Sequence, residues 1–114
     1  MDVCLQKLPV IFLLDRSGLS GPDGASHHGI FGFSYLLAMP GMRVCCPLNA
    51  DQLKYMLDEA LAFDGPTAIC YPRKLLRTPA LMTAAADKPF CTLADGNDAA
   101  LLCAGVIARE GVMA

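Results

Sequence analysis

At 114 residues the chain has room for one small domain at most. Its net charge of −2 offers no general basic field for nucleic acid. Apolar residues make up 54% and mean hydropathy is +0.43, yet the longest uncharged apolar stretch, Ala99 to Ala108, is half the roughly 20 residues that a membrane-spanning helix needs.

Met1 is followed by Asp2, and the first basic residue is Lys7, a pattern of neither a signal nor a transit peptide. Leu8 to Leu14 (LPVIFLL) is a continuous apolar run closed by Asp15, which predicts a strand buried on both faces of a parallel sheet. Pro9 is tolerable near the first residue of such a strand. Asp15 to Gly32 carries Gly18, Gly21, Gly24, Gly29, Gly32 and Pro22, so it is expected to be a long ordered loop of functional type. Phe33 to Ala38 predicts a short helix stopped by Pro40-Gly41, and Met42 to Cys46 a second strand.

Leu53, Met56, Leu57, Ala60 and Leu61 fall at the spacing of one apolar helical face, which predicts a helix over Ala50 to Phe63. Asn49 can cap it, with Gln52 three residues on completing a capping-box-like pair, and Asp64-Gly65-Pro66 stops it. Thr67 to Tyr71 then predicts a third strand, making a strand–helix–strand unit with parallel strands. Pro72 to Asp98 has the composition of a linker, with Pro72, Pro79 and Pro89. Ala99 to Ala104 predicts a further strand, and Val106 to Ala114 the start of a helix. On this reading one good helix covers a single sheet face, whereas parallel sheets need both faces covered. Together with the apolar excess, that reads as a slice through an α/β protein whose exposed apolar surface other protein normally covers.

The six cysteines contain no C-x-x-C pair, and most sit in apolar runs where a thiol acts as a small hydrophobe. Reduced cysteines in a cytosolic protein are expected.

The richest chemistry lies in Asp15 to Gly29 (DRSGLSGPDGASHHG), directly after a strand. Ligands bind at the carboxyl ends of strands in open α/β sheets. Arg16 offers forked donors suited to a phosphate, and His27 or His28 can move a proton near neutral pH, with Asp23 beside them. Sharper motifs are absent. Gly18, Gly21 and Gly24 do not match G-x-G-x-x-G, and there is no Walker sequence. Ser26, His27 and Asp23 lack a nucleophile elbow, and the histidine pair lacks a third metal ligand at suitable spacing. Tyr71-Pro72-Arg73 ends another strand; if both strands share a sheet, Arg16 and Arg73 can converge on one anion. On composition alone the loop charges equally suit turn capping and surface pairing, and Arg73 a solvent-facing place beside Lys74 and Arg77.

The run DRSGLSGPDGASHHGIF, then SYLLAMPGM, CPLNADQLKYML and YPR, resembles in order, from about Asp2 to Arg73, the pyrimidine-binding domain of 1-deoxy-D-xylulose-5-phosphate synthases. Transketolases and the beta subunits of 2-oxo acid dehydrogenases share the layout. The tail ADGNDAALLCAG resembles the start of a transketolase C-terminal domain. The resemblance implies an α/β fold: part of a transketolase-type pyrimidine-binding parallel sheet over residues 1–78, a linker over 79–98, and the beginning of the C-terminal domain over 99–114. It implies an enzyme that condenses pyruvate with D-glyceraldehyde 3-phosphate, releasing CO2, with thiamine diphosphate and Mg2+. Carried over by position, Arg16 and Arg73 would hold the aldehyde's phosphate. Asp23 and His27 would contact the pyruvate-derived intermediate or the acceptor, with His27 moving protons. Ala25-Ser26 stands where the family usually has Pro-Thr, Gly32 where it often has Asp, and Cys70 and Lys74 flank Tyr-Pro-Arg where Arg and Gly are common.

The family's diphosphate and metal ligands, the activating glutamate and the ring-packing aromatics belong to parts that precede this sequence. The chain is therefore expected to be an internal fragment, inactive and without cofactor by itself, of a homodimeric parent in a bacterial cytoplasm or a plastid stroma. A non-catalytic protein keeping the fold, or one subunit of a split transketolase-type enzyme, are the competing readings.

Overall fold

A computed structural model describes residues 1–73 and 88–113. A short helix α1 (Asp2–Leu5) opens the chain, followed by β1 (Ile11–Leu14), α2 (Gly32–Leu37), β2 (Arg43–Cys45), α3 (Ala50–Ala62), β3 (Thr67–Cys70) and α4 (Ala108–Met113). The three strands form one parallel sheet in the order β1-β3-β2, with Leu14 beside Cys70 and Cys45 beside Ile69. β3, the last strand among the described residues, is thus the central one, and it is buried along its whole length.

Side chains alternate between the two sheet faces, as the pleat requires. Phe12, Leu14, Val44, Ala68 and Cys70 pack with Leu36 and Phe33 of α2. Ile11, Cys45 and Ile69 pack with Met56, Ala60, Leu53 and Leu57 of α3. Both faces therefore carry a helix, where the sequence predicts cover on one; the difference is α2, short but anchored by buried Leu36. On the edge strand β1, however, Leu13 is 54% exposed.

Helix α3 begins as its composition predicts. The Asn49 side chain accepts from the Gln52 amide at 2.8 Å, while the Gln52 side chain accepts from the Leu48 amide at 2.7 Å. The reciprocal bond of the capping box lands one residue earlier than in the usual pattern. Leu61, assigned to the apolar face by its spacing, is instead 71% exposed, because the stripe turns off the narrow sheet at the helix end.

Two other expectations are corrected. The first strand starts at Ile11 rather than Leu8: Pro9 has no amide to donate, Lys7 has a left-handed φ of 53°, and the Val10 amide folds back to the Leu8 carbonyl at 2.8 Å. Pairing with β3 begins only at the Val10 carbonyl, which accepts from the Thr67 amide at 3.0 Å. Ala99 to Ala104 forms no strand; Leu102 in it is 96% exposed, and no strand among the described residues pairs with its backbone. The predicted terminal helix is present as a single turn, Gly105–Ile107, running into α4. Much of the predicted linker, residues 74–87, lies outside the described residues.

Candidate anion site at the strand ends

Because β1 and β3 are parallel neighbours, their carboxyl ends emerge side by side. The ladder runs past both strands: the Tyr71 amide donates to the Leu14 carbonyl and the Ser17 amide to the Tyr71 carbonyl, each at 3.0 Å. Arg16 and Arg73 are thus delivered to one edge. Arg16 has a φ of 58°, a left-handed conformation that is uncommon outside glycine and concentrates at functional sites.

The loop folds back over this edge. Gly18 and Gly29 exchange backbone hydrogen bonds of 3.3 and 2.9 Å. A Cβ on Gly29 would lie 2.6 Å from the Arg16 carbonyl oxygen, so the close crossing admits only glycine. Above the crossing, two single turns of 3-10 helix, Gly21–Asp23 and Ala25–His27, are joined by Gly24 at φ 81°. The first turn aims Asp23 between the arginines. The Arg73 Nη1 donates to Asp23 Oδ1, and Arg16 Nε lies 3.6 Å from Oδ2. The Asp23 side chain is only 18% exposed, and its Oδ2 is inaccessible yet accepts no hydrogen bond among the described residues. The hydrogen bond from Arg73, aided by the charges of Arg73, Arg16 and His27 and opposed by partial burial, lowers the Asp23 carboxyl below its ordinary value of 3.8.

His27 stands on the second turn. It is exposed, its Nδ1 lies 3.2 Å from Ser26 Oγ, and it reaches Asp23 through its charge rather than a hydrogen bond. The structure therefore brings Arg16, Asp23 and Arg73 into contact and leaves His27 at the rim of that group. His28, which the sequence offered beside His27 as a proton carrier, accepts from the Ser20 amide on its Nδ1 at 2.9 Å.

A cavity of about 1020 Å³ lies elsewhere, between β2 with α3 and the segment from Pro89 to Val112. Its walls are mainly apolar, including Leu48, Met56, Leu93 and Leu101; its Arg43 already bonds Thr67 and the Glu59 carbonyl and covers the Phe63 ring. Among the described residues no group of three or more His, Cys, Asp or Glu could hold a metal ion. Two guanidiniums around one carboxylate suit an anion, not a divalent cation.

A parallel sheet with an arginine-bearing, glycine-rich loop at its carboxyl edge defines the class, and comparison with known proteins agrees. Residues 1–79 match the transketolase pyrimidine-binding domain, and the chain belongs to that family. Within it, the chain is similar to curated 1-deoxy-D-xylulose-5-phosphate synthases. It is 44% identical to synthase 1 of Geobacter sulfurreducens over 108 residues, covering 92% of this chain and 17% of the relative. It is 53% identical over 72 residues to the synthase of Pelotomaculum thermopropionicum and 54% over 72 residues to that of Methylacidiphilum infernorum, each alignment covering 63% of this chain and 11% of the relative. The chain thus spans about a sixth or less of the length of these relatives.

Proposed function

We propose that this chain supplies the acceptor-phosphate side of a 1-deoxy-D-xylulose-5-phosphate synthase, which joins pyruvate to D-glyceraldehyde 3-phosphate with loss of CO2. One observation carries the reading: Arg16 and Arg73, 57 positions apart in sequence, meet at a single carboxylate on the carboxyl edge of one sheet. A phosphate offers the same kind of acceptor oxygens as that carboxylate, with more charge, and arginine forks match it. Asp23 holds the guanidiniums at a fixed spacing, so the site need not be assembled by the ligand. The exposure of His27 beside the group supports a role in giving or taking a proton on the reacting part of a substrate whose phosphate would lie between the arginines.

Thiamine diphosphate, when bound to the whole enzyme with Mg2+, would supply the carbanion chemistry. The donor set described here does not fit that metal, so cofactor binding falls to other parts of a homodimeric parent. The free thiols suit a reducing compartment, a bacterial cytoplasm or a plastid stroma.

The test is a chimera in which this chain replaces the matching segment of the Geobacter relative. Replacing either Arg16 or Arg73 by Ala should raise the KM for the phosphorylated aldehyde by roughly ten- to a hundred-fold, the worth of a charge-assisted hydrogen bond. The KM for pyruvate should stay put. An unchanged aldehyde KM in both variants would sink the reading.

A further inference from the structure

Residues Gly21 to His27 carry both side chains that the site needs from the loop, and they are held at two levels. The lower is the Gly18 and Gly29 backbone pair. The upper is a side chain bonded to backbone: the Ser20 amide donates to His28 Nδ1 at 2.9 Å, and Ser20 is only 4% exposed. An amide can only donate, so Nδ1 must accept and the ring proton sits on Nε2. From there the hydrogen bonds continue toward the arginines. The Ser20 carbonyl accepts from the Asp23 amide at 2.9 Å, and Asp23 accepts from Arg73.

We infer that His28 is a positioning residue for the anion site: its Nδ1 fixes Ser20, and Ser20 fixes the carboxylate that sets Arg16 and Arg73. The inference rests on reading those arginines as phosphate ligands. His28 itself touches none of the four site residues by a hydrogen bond, so it acts through the loop. The loss of its acceptor would leave the amide of a buried residue without a partner, and the first 3-10 turn would lose its upper tie.

Two substitutions separate this role from mere packing. His28→Leu keeps a branched side chain of similar bulk and removes the acceptor. His28→Asn puts an oxygen on Cγ, the same distance along the side chain as the imidazole Nδ1. Hydrogen exchange of the Ser20 amide in the 114-residue chain, read by fragment mass spectrometry, should be roughly ten-fold faster in His28→Leu and near wild type in His28→Asn. In the chimera, His28→Leu should raise the KM for the phosphorylated aldehyde by roughly ten-fold, leave the KM for pyruvate alone, and be rescued by His28→Asn. Unchanged Ser20 exchange in His28→Leu overturns the hydrogen-bond tie. Equal aldehyde KM values in the Leu and Asn variants overturn its role in positioning. If Arg73→Ala in the same chimera leaves that KM unchanged, the phosphate reading has failed instead, and the exchange result still reports on the tie.

Discussion

Asn49 sits at the corner where β2 hands over to α3, and replacing it with Ala should destabilise the whole sheet. Its side chain is fully buried and caps α3 by accepting from the Gln52 amide at 2.8 Å. Caps cost about 0.5–2 kcal/mol when removed, usually because water substitutes for them. Here neither Asn49 nor Gln52 is open to solvent, being 0% and 5% exposed, so the freed amide has poor access to water. An unsatisfied buried amide costs about 1–3 kcal/mol. The two figures describe one bond and do not add, which leaves about 2 kcal/mol, near the top of the capping range. At about 4–8 °C per kcal/mol for a domain of this order, the melting temperature should fall by about 8–16 °C. Asn49→Ser keeps a capping oxygen and should recover most of the loss. Circular dichroism melts of the three proteins, with exchange of the Gln52 amide as the local readout, make the test. Equal melting temperatures for the Ala and Ser variants would refute the reasoning, since the loss would then not lie in the cap.

Three further outcomes are expected. In the chimera, His27→Ala should lower kcat by about a hundred-fold or more while changing the aldehyde KM far less, if the ring moves a proton; a loss confined to KM would assign it to binding alone. Because the folded Asp23 carboxyl lies below 3.8, the clamp is fully present above that pH and is lost as pH falls through the lowered value. A carboxyl carbon titration by NMR should place its midpoint below that of an Asp in an unfolded peptide, and Arg73→Ala should move it back up. Among the thiols, exposed Cys103 should react first with iodoacetamide, while Cys46, bonded to the Cys70 sulfur and half-buried, is held up in its protonated form and should react late. Faster labelling of Cys46 than of Cys103 would contradict that order.

The parts of the fold that were legible in sequence are those fixed by local pattern. The period of Leu53, Met56 and Ala60 and the Asn49 cap define α3 without any tertiary information. The apolar run ending at Leu14 and the short run from Thr67 each announce a strand, but only β3 is buried from both sides; edge strand β1 leaves Leu13 exposed, against the expectation for that run. What sequence cannot supply is partnership. Ala99 to Ala104 has strand-like composition but no neighbouring strand among the described residues, and α1 is four residues whose pattern is too short to register. The site shows the same division. Arg16, Asp23 and Arg73 stood out by type and by their place after strands, and their convergence required only that β1 and β3 be adjacent and parallel. His28 was hidden because its role is a bond to a backbone amide eight residues away, which leaves no trace in residue type. The adjacent pair of histidines was the one available sign, and it pointed to proton transfer, not to a bond with a backbone amide.

The order of the strands decides whether the arginines can serve one anion. Had β2 been central, Arg16 and Arg73 would have been separated by a strand, near twice the ~4.8 Å strand spacing. With β3 central, Ser17 bonds Tyr71 directly and the two guanidiniums need only the width of a carboxylate between them. Whether a phosphate can then enter depends on how firmly Asp23 is held. Arg73 is about half exposed and Arg16 nearly so, and ion pairs of that kind contribute little net stability. Asp23 satisfies only one of its two oxygens by a hydrogen bond, and Arg16 stands too far from the other to make one. A dianion presenting several oxygens can engage both forks at once, which this carboxylate does not. On the proposed reading the balance favours exchange: from the spacing that Asp23 sets, the guanidiniums would turn to the phosphate at small cost, while the backbone of the loop, tied at Gly18 with Gly29 and at Ser20 with His28, would stay where it is.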